Sequence, residues 1–209
     1  MGVTPKIHLL LLLLLLPVVV FSQDSNVENN ALETAFQMAL SFYPELRDVN
    51  IRVKYGRIKT SMAAMPRTRS LLFNKRAKRS YSIIVNKREK RDAARLVHNS
   101  PFEAQVGIFG HELAHILDYT QKTNCQMIGF AISYLNREKR RQTERKIDSL
   151  TIAHNLGWEL YRFTHFLFNE ANISPKYRNF KTKYYLPPDS LYRMIVRREG
   201  EEGVHPKEE

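Results

Sequence analysis

Residues 100–117 read SPFEAQVGIFGHELAHIL, and this stretch decides what fold the 209-residue chain can adopt. Ser100-Pro101-Phe102-Glu103 has the pattern of a capping box, with Ser100 at the N-cap, Pro101 at the first helical position and Glu103 reaching back. Phe102, Val106, Phe109, Leu113, Ile116 and Leu117 then recur at helical spacing, which predicts a half-buried helix. His111 and His115 stand four apart, so they stack on one face and can bind a single ion. Glu112 sits one position round the cylinder, where its carboxylate reaches a water beside that ion rather than the ion itself. The HExxH spacing thus carries two ligands and a general base in one helical turn. The alternative is a pair of ordinary core or surface histidines, and a third ligand decides between the two.

Asp118 is the nearest downstream carboxylate, but it lies seven residues beyond His111 on the same helix, roughly 10 Å along the axis. One ion does not span that distance. Thr143-Glu144-Arg145-Lys146-Ile147-Asp148 opens the next strongly periodic helix, and there Glu144 and Asp148 again share a face. Glu144 would complete the coordination. Asp148 would hydrogen-bond the free ring nitrogen of His111 or His115, the usual way a ligating imidazole is oriented. Asp148 also stands among Ile147, Leu150, Ile152, Ala153 and Leu156, where a carboxylate needs a partner. Two alternatives stay open: Asp148 as ligand with Glu144 outside, and His154, whose alignment with Ile147, Leu150, Gly157 and Tyr161 reads instead as structural or substrate-side.

His111, Glu112 and His115, followed in order by Glu144 and Asp148, resemble the pattern of the gluzincin metallopeptidases, with HExxH on one helix and Glu-x-x-x-Asp on a later one. The likeness is closest to their small single-domain forms and to the M48-like peptidases, though Ile147 stands before Asp148 where the M48-like pattern favours Ala. No Gly-x-x-His follows His115, which excludes the metzincin pattern. The resemblance implies a zincin-like α+β fold: a small mixed sheet, then the active-site helix, then a second long helix bearing the third ligand. It implies one Zn2+ per chain on His111, His115 and Glu144, with Asp148 behind them. The implied activity is an endopeptidase on protein or peptide substrates, in which Glu112 takes a proton from a zinc-activated water and returns it to the leaving amine. A further donor for the developing oxyanion would come from His154, Tyr161 or His165, all expected on the helix of Glu144. In such enzymes a strand lines the cleft and pairs with substrate backbone; Ser82, Ile83, Ile84, Val85 and Asn86 are the candidate, an ordinary inner strand being the alternative.

The N-terminus reads as a secretory signal over residues 1–22. Lys6 gives a basic start, Leu9 to Phe21 form an apolar run interrupted by Pro17, and Val20-Phe21-Ser22 offers small residues at a cleavage site. The run falls short of the ~20 residues that span a bilayer, so export to the periplasm or beyond is expected, with an uncleaved membrane anchor as the alternative. Residues 23–199 then form one domain and 200–209 a charged flexible tail. Helices are expected at 28–42, 127–135, 138–168 and 190–196, and strands at 51–55 and 81–86. Cys125 is the single cysteine, so no intrachain disulfide forms, and it reads as a packed small residue.

The chain carries 33 Lys and Arg against 21 Asp and Glu, a net +12 concentrated at 67–95 and 137–146. Such a surface suits anionic lipids or acidic envelope polymers, and nothing resembling a base-reading module accompanies it. It also supports a second functional expectation, a non-catalytic basic envelope protein that binds anionic partners, with the HExxH helix structural or metal-stabilised.

Overall fold

The computed structural model describes residues 26–87, 97 and 99–203. The expected signal segment, the basic residues of 88–96 and the end of the charged tail lie outside the described residues.

The architecture is α+β, as expected. Helix α1, Asn26–Ser41, buries Leu32, Ala35, Phe36 and Ala39 and ends ahead of Pro44. Strands β1 (Ile51–Gly56), β2 (Met62–Pro66) and β3 (Tyr81–Asn86) form a mixed sheet in the order β1-β3-β2. β3 runs parallel to β1, Ile51 facing Tyr81, and antiparallel to β2, Ala64 facing Ile83. It is buried throughout its length. The MAAMP of β2 lacks β-branched residues and alternation, so it carries no strand signal; the ladder to β3 makes it a strand. Its terminal Pro66 is tolerated because β2 is an edge. Helix α2, Thr68–Phe73, follows it.

Helix α3, Phe102–Thr120, carries the HExxH stretch. The expected capping box does not form, because the cap falls on Pro101. The Ser100 hydroxyl donates to the carbonyl of Val97 at 3.0 Å, and Gln105 Nε2 donates to the carbonyl of Ser100 at 3.0 Å. Nor is the helix half-buried: every residue from Ala104 to Tyr119 is buried, with α1 and β2 packed on it together with two later helices. Buried Arg79 closes its C-terminal end, donating to the carbonyls of Tyr119 and Lys122 at 3.1 Å each and to Asn124 Oδ1 at 2.5 Å. A cation among orphan carbonyls suits the negative end of a helix.

A capping box that the sequence reading missed, Thr123 with Gln126, starts α4, Asn124–Ser133. Cys125 on it is exposed rather than packed. The helix expected over 138–168 is two. Asn136 caps α5, Arg137–Ala153, and the chain then turns at His154-Asn155-Leu156 before α6, Gly157–His165, and a wider π turn at Phe166–Glu170. Asn155 takes the left-handed conformation, φ 59°, that ends a helix. Helix α6 crosses α3 so closely that a Cβ on Gly107 would sit 2.2 Å from the backbone of Glu159. Helices α7, Pro175–Tyr184, and α8, Pro188–Gly203, complete the fold. α8 runs past the expected 196 and takes in residues 200–203 of the expected tail. No helix among the described residues is long and apolar enough to cross a membrane.

Candidate metal centre

The main core holds Phe109, Leu113, Ala114 and Ile116 of α3 and Ile147 of α5, and this packing fixes the two helices side by side. Their facing sides bring His111, His115 and Glu144 together. One donor atom from each lies within 4.8 Å of the others, and all three residues are buried. Oε2 of Glu144 stands 3.3 Å from Nε2 of His111 and 3.4 Å from Nε2 of His115. This carboxylate is 1% exposed, and its Oε2 accepts no hydrogen bond. An unsatisfied buried carboxylate oxygen is costly, and one aimed at two imidazole nitrogens fits the donor set of a divalent metal.

Other polar groups of the cluster anchor it to the protein. The Tyr134 hydroxyl donates to Glu144 Oε1, and the Arg140 guanidinium stands behind it, its Nε 3.8 Å from the same oxygen. Arg140 is held over the rings of Tyr184 at 4.3 Å and Tyr134 at 5.0 Å. One oxygen of Glu144 is thereby anchored to the protein while the other faces the histidines. Nδ1 of His111 donates to Asp148 Oδ1 at 3.0 Å, which leaves the lone pair on Nε2. Nδ1 of His115 has no partner. Asp148 is thus the orienting carboxylate and His111 its target. Asp118 is occupied elsewhere: Lys146 Nζ donates to its Oδ1 at 2.6 Å and Lys122 to its Oδ2, a pairing that ties α3 to α5.

Electrostatics follow from this burial. Burial disfavours the charged form of His111, but hydrogen bonds and charge from Asp148 and Glu144 overcome it and push the group up to about 10. Burial opposes the charged form of Glu144 too, yet His111 and His115 hold it well below its ordinary range.

Glu112 turns away from the cluster toward the sheet, where its Oε2 accepts the backbone N–H of Ala64 at 2.6 Å. The strand that meets Glu112 is therefore β2. The expected pairing strand, Ser82, Ile83, Ile84, Val85 and Asn86, is corrected: β3 is central, with both edges already paired to β1 and β2, and has no edge left for substrate. β2 is an edge strand, and the N–H that Ala64 presents outward is taken by Glu112.

A pocket opens beside His111, Glu112 and Asp148, walled by Met62, Ile108, Leu160, Phe163, Leu186 and others, with Tyr185 and Lys181 among its lining. His154, Tyr161 and His165 do not line it, because the break at Asn155 takes them off the helix of Glu144. His154 stacks on Tyr43, ring centroids 4.3 Å apart, with Nδ1 2.8 Å from the carbonyl of Leu150. Tyr161 packs among Trp158, Tyr192 and His165, whose Nδ1 lies 3.1 Å from Glu170 Oε1. The residue in the place expected of them is Tyr185, its ring centroid 5.9 Å from that of His111. Burial first, then Glu144, Tyr134 and Glu112, raise its phenol well above the ordinary range, so it stays protonated and can donate. The run Tyr184-Tyr185 before Pro187-Pro188 was the available signal, and nothing in it told the two rings apart.

Comparison with known protein families, curated proteins and solved structures finds no match.

Proposed function

We propose that the chain is an exported zinc-dependent endopeptidase of the gluzincin type, with a zincin-like arrangement of edge strand, HExxH helix and ligand-bearing helix. The observation that carries this reading is the Oε2 of Glu144, buried, without a hydrogen bond, and facing the Nε2 atoms of His111 and His115. Those three residues would hold the ion. When bound, it supplies Lewis acidity toward a carbonyl and lowers the pKa of water beside it.

The protein's own groups do the rest. Ala64 holds Glu112 by Oε2 and leaves Oε1 as the proton acceptor. Glu112 takes a proton from water as its oxygen bonds to the peptide carbonyl carbon, then delivers it to the amide nitrogen as the C–N bond breaks. Tyr185 donates its hydroxyl to the carbonyl oxygen as charge grows there. Asp148 keeps His111 in the Nδ1–H tautomer throughout. Export rests on the first 22 residues, which read as a signal segment.

The test is metal content and cleavage of an unfolded protein by purified chain, with Glu112→Gln beside it. Expected are one zinc per chain in both and a loss of hydrolysis of roughly 10²–10⁴-fold in the variant. No stoichiometric zinc in the parent, or equal cleavage by the variant, rejects the reading.

A further inference from the structure

The pocket beside Glu112 contains a cation that the reaction above does not use. Lys181, on α7, is 5% exposed and lines the same cavity as His111, Glu112 and Asp148. Among the described residues its ammonium meets no carboxylate and no hydrogen-bond acceptor. It lies instead over three rings: Tyr185 at 4.0 Å, Tyr177 at 5.8 Å and Phe163 at 6.0 Å. Ring faces compensate the charge of a largely buried lysine only in part, and the ammonium opens into the cavity, where a charged partner can reach it. Of the two carboxylates in the same wall, Asp148 is engaged by the His111 ring and one oxygen of Glu112 by the Ala64 N–H.

Much of the remaining lining is apolar, with Ile108, Leu160, Leu167 and Leu186 among it. The free space in the pocket is about 30 Å³, room for a small head group rather than a whole side chain, and one monovalent cation complements one negative charge. A phosphate would leave its second charge without a partner. A carboxylate matches.

We propose that Lys181 determines substrate specificity by receiving a carboxylate from the substrate residue seated next to the bond that is cut. The inference rests on the peptidase reading and deepens it. That carboxylate has two sources in a peptide, an Asp or Glu side chain or the free C-terminus, and both present the same group to the ammonium.

The experiment uses the zinc-loaded chain, a mixed peptide library, and mass-spectrometric mapping of the cut sites. Expected is enrichment of Asp or Glu, or of the chain terminus, adjacent to the cleaved bond. For individual peptides, kcat/KM should fall roughly tenfold or more, through KM, when that Glu is changed to Gln or the terminus is amidated. A fall on Glu→Gln assigns the side chain, and a fall on amidation assigns the terminus; either supports the proposal. Lys181→Met should bring the ratio between charged and neutral peptides to within about twofold, while Lys181→Arg retains it. Because the ratio is taken within one variant, partial loss of folded protein does not alter it. Cleavage with no preference for a carboxylate, or a preference that survives in Lys181→Met, overturns the proposal and leaves the peptidase reading standing. No cleavage of any peptide by the zinc-loaded parent overturns both.

Discussion

At the scale of single residues, the centre is built on a division between the two oxygens of Glu144. Tyr134 and Arg140 hold Oε1, so Oε2 is positioned before any ion arrives. Preorganisation of this kind spares the site the reorganisation that a flexible carboxylate would need. The five residues His111, Glu112, His115, Glu144 and Asp148 were legible because helical spacing alone determines which side chains share a face. Tyr185 was not, since it belongs to the segment between α7 and α8, whose placement depends on tertiary packing that no periodicity encodes. Tyr185→Phe tests its assignment. A donor that acts only as charge develops should cost kcat roughly 10²–10³-fold with KM little changed, measured by steady-state peptide hydrolysis. An unchanged kcat would reduce Tyr185 to a wall of the pocket.

At the scale of elements, the close crossing of α3 and α6 sets where the histidines point. Gly107 makes that crossing possible, because any side chain there meets the backbone of Glu159 rather than a yielding side-chain tip. Gly107→Ala is expected to destabilise the chain by the upper part of about 1–3 kcal/mol, seen in urea unfolding, and to weaken zinc retention as α3 shifts. Unaltered stability would mean that the two helices can part without cost. The apolar rhythm of α3 was plain in the sequence, but its total enclosure was not: Gly107 and Gly110 interrupt the stripe because other backbone and side chains press against them. The break at Asn155 is hidden in the sequence for a related reason. Asn is one of the few residues besides Gly that enters the left-handed region, yet Ile152, Ala153, Leu156 and Leu160 continue an apolar pattern across it.

At the scale of the molecule, the candidate ligands come from two helices, so on the proposed reading an ion held there would clamp the fold. Zinc at a hundredfold above its Kd should add about 2.7 kcal/mol, and chelation should remove it. The effect depends on pH with a definite sign. In the metal-free chain His111 titrates near 10 against an ordinary 6.5, so its contribution to stability is full below about 6.5 and fades as pH rises toward 10. Glu144, held low, contributes above its ordinary 4.5 and fades as pH falls below it. Zinc must displace the proton on His111, so its binding strengthens as pH rises. The gap in Tm between zinc-loaded and chelated protein should therefore widen between about pH 6 and 9; a constant gap would show that no proton leaves when the ion enters. The outer margin of β2 bears on a different property, the tendency of one copy to add its sheet to another. Ala64 gives its N–H to Glu112, Pro66 has none to give, and the carbonyl of Met62 is taken by the Thr60 hydroxyl at 2.7 Å. Little is left on that margin to template a neighbouring molecule, so the strand that borders the chemistry is also guarded against fibril growth.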